Sequence, residues 1–385
     1  MNSSINPIQP YPSKSFANVS PSKSSSVVDS NQVTPDIGGK DIFTSADDMI
    51  ASAKSSIKLE MYNWRNKAVD GKDGAVGAPG YDEQQKLLPL IVDAAKRGVN
   101  VQVVLDGSAT PSGNINNADM VAYLKKNGVQ VLNYPANTVN IDHVKLLVID
   151  GKDALIGGMN WSSNSPINHD ADVRIDGPAA KNAEQIFDED WAFSGGKATS
   201  NPTPPNNASS GNIKFITTAP PEENGGSSAI DKVLVDDING AKKSVHAEIY
   251  CFTDSDVIQA MKDAKARGVD VKVIFDPSQA RVNQKTYDDL ASAGIGVKWY
   301  NSDMASHQLL HAKWGVFDNQ ELIIGSANWT GNGLTFDDKN PAPPVGGQKR
   351  ISNHEADVNI NDSATASVFE QQFQNDWANN TRANP

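Results

Sequence analysis

The stretch that decides the fold is His143-Val144-Lys145-Leu146-Leu147-Val148-Ile149-Asp150, followed by Gly157-Gly158-Met159-Asn160-Trp161. It returns later as His311-Ala312-Lys313-Trp314-Gly315-Val316-Phe317-Asp318, followed by Gly325-Ser326-Ala327-Asn328-Trp329, with the same internal spacing. A single pattern of this kind is weak. Two in register imply two lobes, each supplying half of one site.

The repetition spreads outward from these motifs. Ser55-Ser56-Ile57-Lys58-Leu59-Glu60-Met61-Tyr62 matches Lys243-Ser244-Val245-His246-Ala247-Glu248-Ile249-Tyr250. The run from Ala94 to Asp106 matches that from Ala264 to Asp276, His169-Asp170-Ala171-Asp172-Val173 matches His354-Glu355-Ala356-Asp357-Val358, and Asp190-Trp191 matches Asp376-Trp377. The order is conserved between the halves, so the chain reads as a fused duplication. Each half reads strand, helix, strand, helix, hairpin, strand, helix. Leu87, Leu88, Leu90, Ile91 and Ala94 mark one side of a helix that stops at Gly98. Val99 to Leu105 alternates as a β-branched strand does. Alternating elements predict an α/β class with a mixed sheet and helices on its faces.

The expected divisions are a Ser/Asn/Pro-rich disordered tail over 1–38, an N-terminal lobe over 39–198, a linker over 199–212 and a C-terminal lobe over 213–385. Two polar stretches, 65–83 and 335–350, interrupt the halves at different places and are candidate lids. The 385 residues carry a net charge of -12, which counts against strong non-specific nucleic-acid binding. No apolar run approaches the ~18 residues of a membrane span, and the tail lacks the apolar core of a secretory signal. A cytoplasmic location is the default expectation. The tail's composition is also similar to the export segments of some secreted bacterial effectors. The lone cysteine, Cys251, excludes an internal disulfide framework.

As a strand, the first motif points His143 and Lys145 to one face and Val144, Leu146 and Val148 to the other. A two-residue turn at Gly151-Lys152 sets Asp150 against Asp153, which places Asn160 opposite His143 and Gly158 opposite Lys145. A turn at Asn319-Gln320 likewise places Asn328 opposite His311 and Ser326 opposite Lys313. An imidazole, an ammonium and a carboxamide on one face suit an oxyanion with several oxygens, such as a phosphodiester. A nucleophilic imidazole must be neutral and held in one tautomer, and a carboxylate on its other nitrogen does that. Matched candidates are Asp170 and Glu355, with Asp172 and Asp357 two residues on.

These motifs resemble the paired HKD signature of the phospholipase D superfamily, over about residues 40 to 385. The first half looks like bacterial two-motif phospholipases D and cardiolipin-synthase-like enzymes. The second half, with Gly325-Ser326-Ala327-Asn328-Trp329-Thr330, looks as much like the nuclease-type members. The resemblance implies two αβα-sandwich lobes about a pseudo-twofold axis and a phosphodiesterase that uses two histidines. One forms a phosphohistidine; the other protonates the leaving alcohol and then activates water. His143 is expected as nucleophile and His311 as acid, with Lys145, Lys313, Asn160 and Asn328 stabilising charge. In the superfamily an acid at about this place after the motif holds the histidine, a role carried to Asp170 and Glu355. Asp150 and Asp318 belong to the signature but are assigned to turn and lobe stabilisation.

No cofactor and no metal is expected; a metal site from the His169-Asp170 or His354-Glu355 runs is the lesser reading. The expected partners are a phospholipid at a membrane surface and water or an alcohol as acceptor, with the chain a monomer. A nuclease using the same site and a non-catalytic phosphate-binding protein are the alternatives.

Overall fold

The computed structural model describes residues 30–71, 74–108, 116–135, 141–197, 209–220, 223, 225–335 and 352–383. The N-terminal lobe runs β1 (Gln32–Ile37), α1 (Gly39–Ser52), β2 (Ser56–Met61), α2 (Lys67–Asp70), α3 (Tyr81–Lys96), β3 (Asn100–Asp106), α4 (Ala118–Lys126) and β4 (Gln130–Tyr134). It continues with the hairpin β5 (Lys145–Ile149) and β6 (Asp153–Gly157), then β7 (Ala171–Asp176) and α5 (Ala180–Phe193). The C-terminal lobe opens with β8 (Ser209–Ser210), β9 (Ile213–Ala219), β10 (Ser227–Ser228) and α6 (Ala229–Gly240). It then repeats the plan: β11 (Ser244–Ile249), α7 (Ser255–Ala266), β12 (Asp270–Phe275), α8 (Ala280–Ser292), β13 (Gly296–Tyr300), β14 (Lys313–Phe317), β15 (Glu321–Gly325), α9 (Gly331–Leu334), β16 (Glu355–Asn361), α10 (Ser363–Asn379) and β17 (Thr381–Arg382).

One sheet is ordered β1-β7-β6-β5-β2-β3-β4 and the other β10-β9-β16-β15-β14-β11-β12-β13-β17, so the central orders coincide strand for strand. β2, β3 and β4 are parallel, as are β11, β12 and β13, and the other pairs are antiparallel. These are the mixed sheets of two αβα sandwiches related by a pseudo-twofold axis. The helices α3 and α7 end alike: Gly98 and Gly268 take φ of 88° and 90°, the left-handed conformation that closes a helix and that glycine adopts without strain.

Alternate residues of the central strands enter different cores. Val144, Leu146 and Val148 join a core shared by both lobes, with α5, α10 and Trp314, Val316 and Ile324 of the second sheet. Leu147 and Ile149 join the outer core of the first lobe with α1 and α3. The second lobe has its own outer core around Val245, Ala247 and Ile249. The shared core makes the lobes one unit.

Three expectations need correction. Residues 32–37 are not tail but the edge strand β1, paired with β7 and packing Val33 and Ile37 against the shared core. A short polar strand containing Pro35 carries little strand signal, and an edge position tolerates the proline. Residues 1–29 and 198–208 lie outside the described residues. Ser209 and Ser210, placed in the linker, pair with β9.

The third correction concerns the hairpins. Ile149 pairs with Asp153, and Phe317 with Glu321, one residue out of the expected register. The turns are therefore three residues long. Asp150 and Asp318 both take φ of 55°. The cause lies outside the hairpin. The Asp150 carboxylate accepts hydrogen bonds from the backbone amides of Lys54 (3.0 Å), Ser55 (2.7 Å) and Ser56 (2.8 Å) and from the Ser55 hydroxyl (2.8 Å). Asp318 accepts from the amides of Lys242, Lys243 and Ser244 at 2.6–3.0 Å. Each aspartate thus ties the hairpin to the turn before β2 or β11. Burial would raise the Asp150 pKa, but these donors outweigh it and hold the carboxyl at about 2. Asp150→Ala should therefore cost about 3 kcal/mol of stability in urea denaturation, from lost charge-assisted hydrogen bonds and an alanine left in the left-handed region. Turnover of the folded fraction should stay within a few-fold of wild type.

Candidate active site

His143 precedes β5, and His311 precedes β14, at the ends where the hairpin ladders stop. Each backbone finds its partner in the other lobe. The His143 amide donates to the His354 carbonyl (2.8 Å) and the His311 amide to the His169 carbonyl (2.7 Å). Asp142 and His354, and likewise His169 and Leu310, form parallel bridges. The motif histidine of each lobe therefore lies beside the post-motif strand of the other.

The acids follow from this crossing. His143 Nδ1 lies 2.8 Å from Glu355 Oε2 and 3.1 Å from Oε1. His311 Nδ1 lies 2.7 Å from Asp170 Oδ2. Each histidine is oriented by the carboxylate of the opposite lobe, which leaves Nε2 for chemistry. Lys145 Nζ donates to the His143 carbonyl and Lys313 Nζ to the His311 carbonyl. Tyr62 and Tyr250 complete the two half-sites. Tyr62 stands edge-on to the His143 ring at 4.8 Å with Lys145 Nζ 5.0 Å from its centroid; Tyr250 lies 4.9 Å from the His311 ring with Lys313 Nζ at 5.3 Å. These tyrosines were legible as a matched pair in the repeat, but nothing in the sequence put them against the histidines.

The halves are not identical. Glu355 is further held by the Ser326 hydroxyl (2.6 Å) and Asn353 Nδ2 (3.0 Å). Asp170 has Gly158 at the position of Ser326, and a Cβ there would come within 2.5 Å of Asp170 Oδ1. The small residue leaves room for the Asp170 carboxylate, whereas the expected register set it opposite Lys145.

The site is nearly closed: His143 is 6% exposed, His311 8%, Lys145 2% and Lys313 1%. Burial lowers both histidine pKa values to about 4, against the opposing pull of Glu355 on His143 and of Asp170 on His311. Each lysine's charge acts on the other lobe's histidine in the same lowering direction. Burial also brings Lys145 down to about 7. At neutral pH both imidazoles are therefore uncharged, as nucleophilic attack requires. Because the folded pKa lies below the unfolded value, the unfolded chain binds the proton first, and stability falls as pH falls from about 6.5 toward 4. Between pH 7 and 5 the loss should be about 2 kcal/mol per histidine. Urea denaturation of a His143→Ala/His311→Ala variant should show a correspondingly shallower pH dependence.

Asn160 and Asn328 follow the ladder ends rather than facing the histidines in register. The chain leaves the ladder after Gly157 and Gly325 because Asp172 accepts from the Met159 amide (3.2 Å) and Asp357 from the Ala327 amide (3.0 Å). A Cβ at Gly157 would sit 2.0 Å from Asp172 Oδ1, and one at Gly325 2.1 Å from Asp357 Oδ1, so these motif glycines make room for the acids. Asp172 and Asp357, the second choice for orienting the histidines, instead fix this bend. Burial raises the pKa of both, Asp357 to about 8. Oδ1 of Asn160 and of Asn328 is buried without a hydrogen-bond partner among the described residues.

His169 and His354 reach into the opposite lobes. His169 Nε2 lies 3.0 Å from both Glu248 and Asp376, and His354 Nε2 lies 3.1 Å from Asp190, beside Glu60. The first candidate lid is described in part: Gln84 in α3 donates to the Arg65 (2.7 Å) and Trp161 (3.0 Å) carbonyls, closing this stretch over Trp161. The second, apart from Thr335, lies outside the described residues. Among the described residues no helix is long and apolar enough to cross a membrane.

A model of the family described as "Cardiolipin synthase, PLD-like domain" matches residues 47–191 and 234–377. The chain is 25% identical over 319 residues to a cardiolipin synthase of Halalkalibacterium halodurans, covering 75% of this chain and 58% of the relative. It is 26% identical over 312 residues to cardiolipin synthase A of Pectobacterium carotovorum, covering 72% and 58%. The chain thus spans somewhat over half the length of these curated relatives. The crystal structure of a phosphatidylserine synthase from Haemophilus influenzae shares the fold, with a TM-score of 0.65 over 91% of this chain and 87% of that one at 14% identity.

Proposed function

The chain belongs to the cardiolipin synthase, phospholipase D-like domain family, and from that premise we propose that it is a phosphodiesterase acting on phospholipid through one site shared by its two lobes. The observation that carries the reading is the pair of histidines, each with Nδ1 on a carboxylate of the opposite lobe.

In this reading His143 Nε2 attacks phosphorus and forms a P–N bond as the P–O bond to the leaving alcohol breaks. His311, protonated beside the incoming phosphodiester anion, gives its proton to the departing oxygen. Water or a second alcohol then attacks phosphorus in line, His311 takes its proton, and the P–N bond breaks. Hydrolysis gives phosphatidic acid; an alcohol acceptor gives a transphosphatidylated lipid. The two lysines, with Asn160 and Asn328, neutralise charge on the non-bridging oxygens, so the chemical steps call for no metal at phosphorus. Glu355 and Asp170 fix the tautomer and stabilise the imidazolium. A membrane surface supplies the substrate, and the chain works as a monomer because both half-sites are in one polypeptide.

Wild-type protein incubated without chelator with mixed phospholipid liposomes, and separately with single- and double-stranded DNA, tests the substrate class by mass spectrometry of the products. Phosphatidic acid or an exchanged lipid is the expected product. Shortened DNA with intact lipid would move the chain to the nuclease reading, and intact lipid and DNA would support a phosphate-binding protein without turnover.

A further inference from the structure

The two buried histidine clusters occupy equivalent places, yet their surroundings differ in a way that the catalytic reading does not use. In the cluster at His169, Nε2 is hydrogen-bonded to Glu248 at 3.0 Å, and Asp376 accepts from Gln372 Nε2 (2.7 Å) and Asn380 Nδ2 (2.7 Å). Amide donors there satisfy the carboxylate. In the cluster at His354, Ile186 and Ser194 stand at the positions of Gln372 and Asn380, and no amide reaches Asp190 among the described residues.

Glu60, Asp190 and His354 are 0%, 1% and 2% exposed. Neither oxygen of Glu60 or of Asp190, nor either ring nitrogen of His354, has an amide, hydroxyl or backbone partner among the described residues; their hydrogen-bonding contacts are with one another and Glu223. The groups nevertheless converge: one ligand atom from each lies within 4.8 Å of the others. His354 Nε2 lies 3.1 Å from Asp190 Oδ1 as an ion pair. That spacing is close to the edge of a tetrahedron around an ion with bonds of about 2.0 Å.

Charge points the same way. Asp142 stands where the second copy has Leu310, and Glu223 lies 3.3 Å from His354 Nδ1. One imidazole therefore faces four buried carboxylates, whereas His169 faces two. Buried carboxylates in such excess are normally paired or bound to a metal. Glu223, which accepts from the Tyr134 hydroxyl at 2.6 Å, lies on the Nδ1 side of the ring, where an outer carboxylate would stand if Nε2 bound a metal.

We propose that Glu60, Asp190 and His354 bind a divalent transition-metal ion, zinc by donor set, which staples the two lobes together. One imidazole with two carboxylates suits zinc or cobalt better than the all-oxygen sites of calcium or magnesium. Glu60 comes from β2 and Asp190 from α5 of the first lobe, while His354 comes from the second. The ion takes no part in the phosphoryl steps. The pseudo-symmetric His169 cluster, which converges in the same way but whose Asp376 is already held by two amides, binds none.

The test uses full-length protein purified without a metal-affinity tag, stripped by dialysis against dipicolinate and re-equilibrated with zinc or cobalt(II). Bound metal is measured by plasma mass spectrometry, and cobalt coordination by its visible spectrum. About one zinc per chain and a tetrahedral cobalt spectrum are expected. Glu60→Gln and Asp190→Asn should bind at least tenfold less metal, with Glu248→Gln unchanged. Should the buried variants fail to fold, anomalous scattering at the zinc edge from wild-type crystals locates the ion directly. An anomalous peak at His354 supports the proposal. A metal-free wild type, a peak elsewhere, or equal loss in Glu248→Gln would overturn it.

Discussion

His143→Ala should lower phospholipid turnover by about four orders of magnitude or more, equivalent to about 5.5 kcal/mol of transition-state stabilisation. Alanine removes the group proposed to form the P–N bond, and no other described side chain can take its place. His311 is held by Asp170 and lies against Lys313. His169 and His354 are sealed in their own clusters. The fold should persist, because the aliphatic residues of β5 and the Asp150 anchor are untouched. Circular dichroism and a urea midpoint at pH 7 close to wild type would confirm that the loss is chemical.

The second large effect comes from the crossed carboxylates. Asp170→Asn and Glu355→Gln should each cost about two to three orders of magnitude in kcat, because an amide of the same shape cannot stabilise the imidazolium and favours the wrong tautomer. The crossing predicts which step each one damages. Asp170 serves His311, the proposed acid, so Asp170→Asn should be largely rescued by a p-nitrophenyl phosphodiester, whose leaving group needs no proton. Glu355 serves His143, so Glu355→Gln should remain slow on the same substrate. If each acid served the histidine of its own lobe, the rescue would fall to Glu355→Gln instead.

Much of this was legible in the chain because duplication repeats its signals. Alternation in Val144, Leu146 and Val148 gave the inward face of β5, and the matched Asp170 and Glu355 gave the orienting acids. The crossing itself was not legible. A symmetric duplication offers each histidine two equivalent acids, and only the backbone pairing of His143 with His354 and of His311 with His169 chooses between them. The hairpin register failed for a similar non-local reason. A two-residue turn reads naturally from Asp150-Gly151-Lys152-Asp153, but amides near residue 55 draw Asp150 out of the ladder. β1 escaped notice because a six-residue polar strand with an internal proline is indistinguishable by composition from the tail before it. His169 and His354 could be read only as lesser candidates for a metal site with the acids beside them, since their actual partners, Glu248 with Asp376 and Glu60 with Asp190, come from remote segments of the opposite lobe.

The most direct test of a shared two-histidine site is to trap its covalent state. Wild-type protein would be mixed with a phospholipid labelled at phosphorus, quenched within one turnover under conditions that preserve P–N bonds, digested and mapped by mass spectrometry. The account predicts label on the peptide carrying His143, chased by water or alcohol and absent from His143→Ala. Turnover that leaves His143 unlabelled throughout would contradict it.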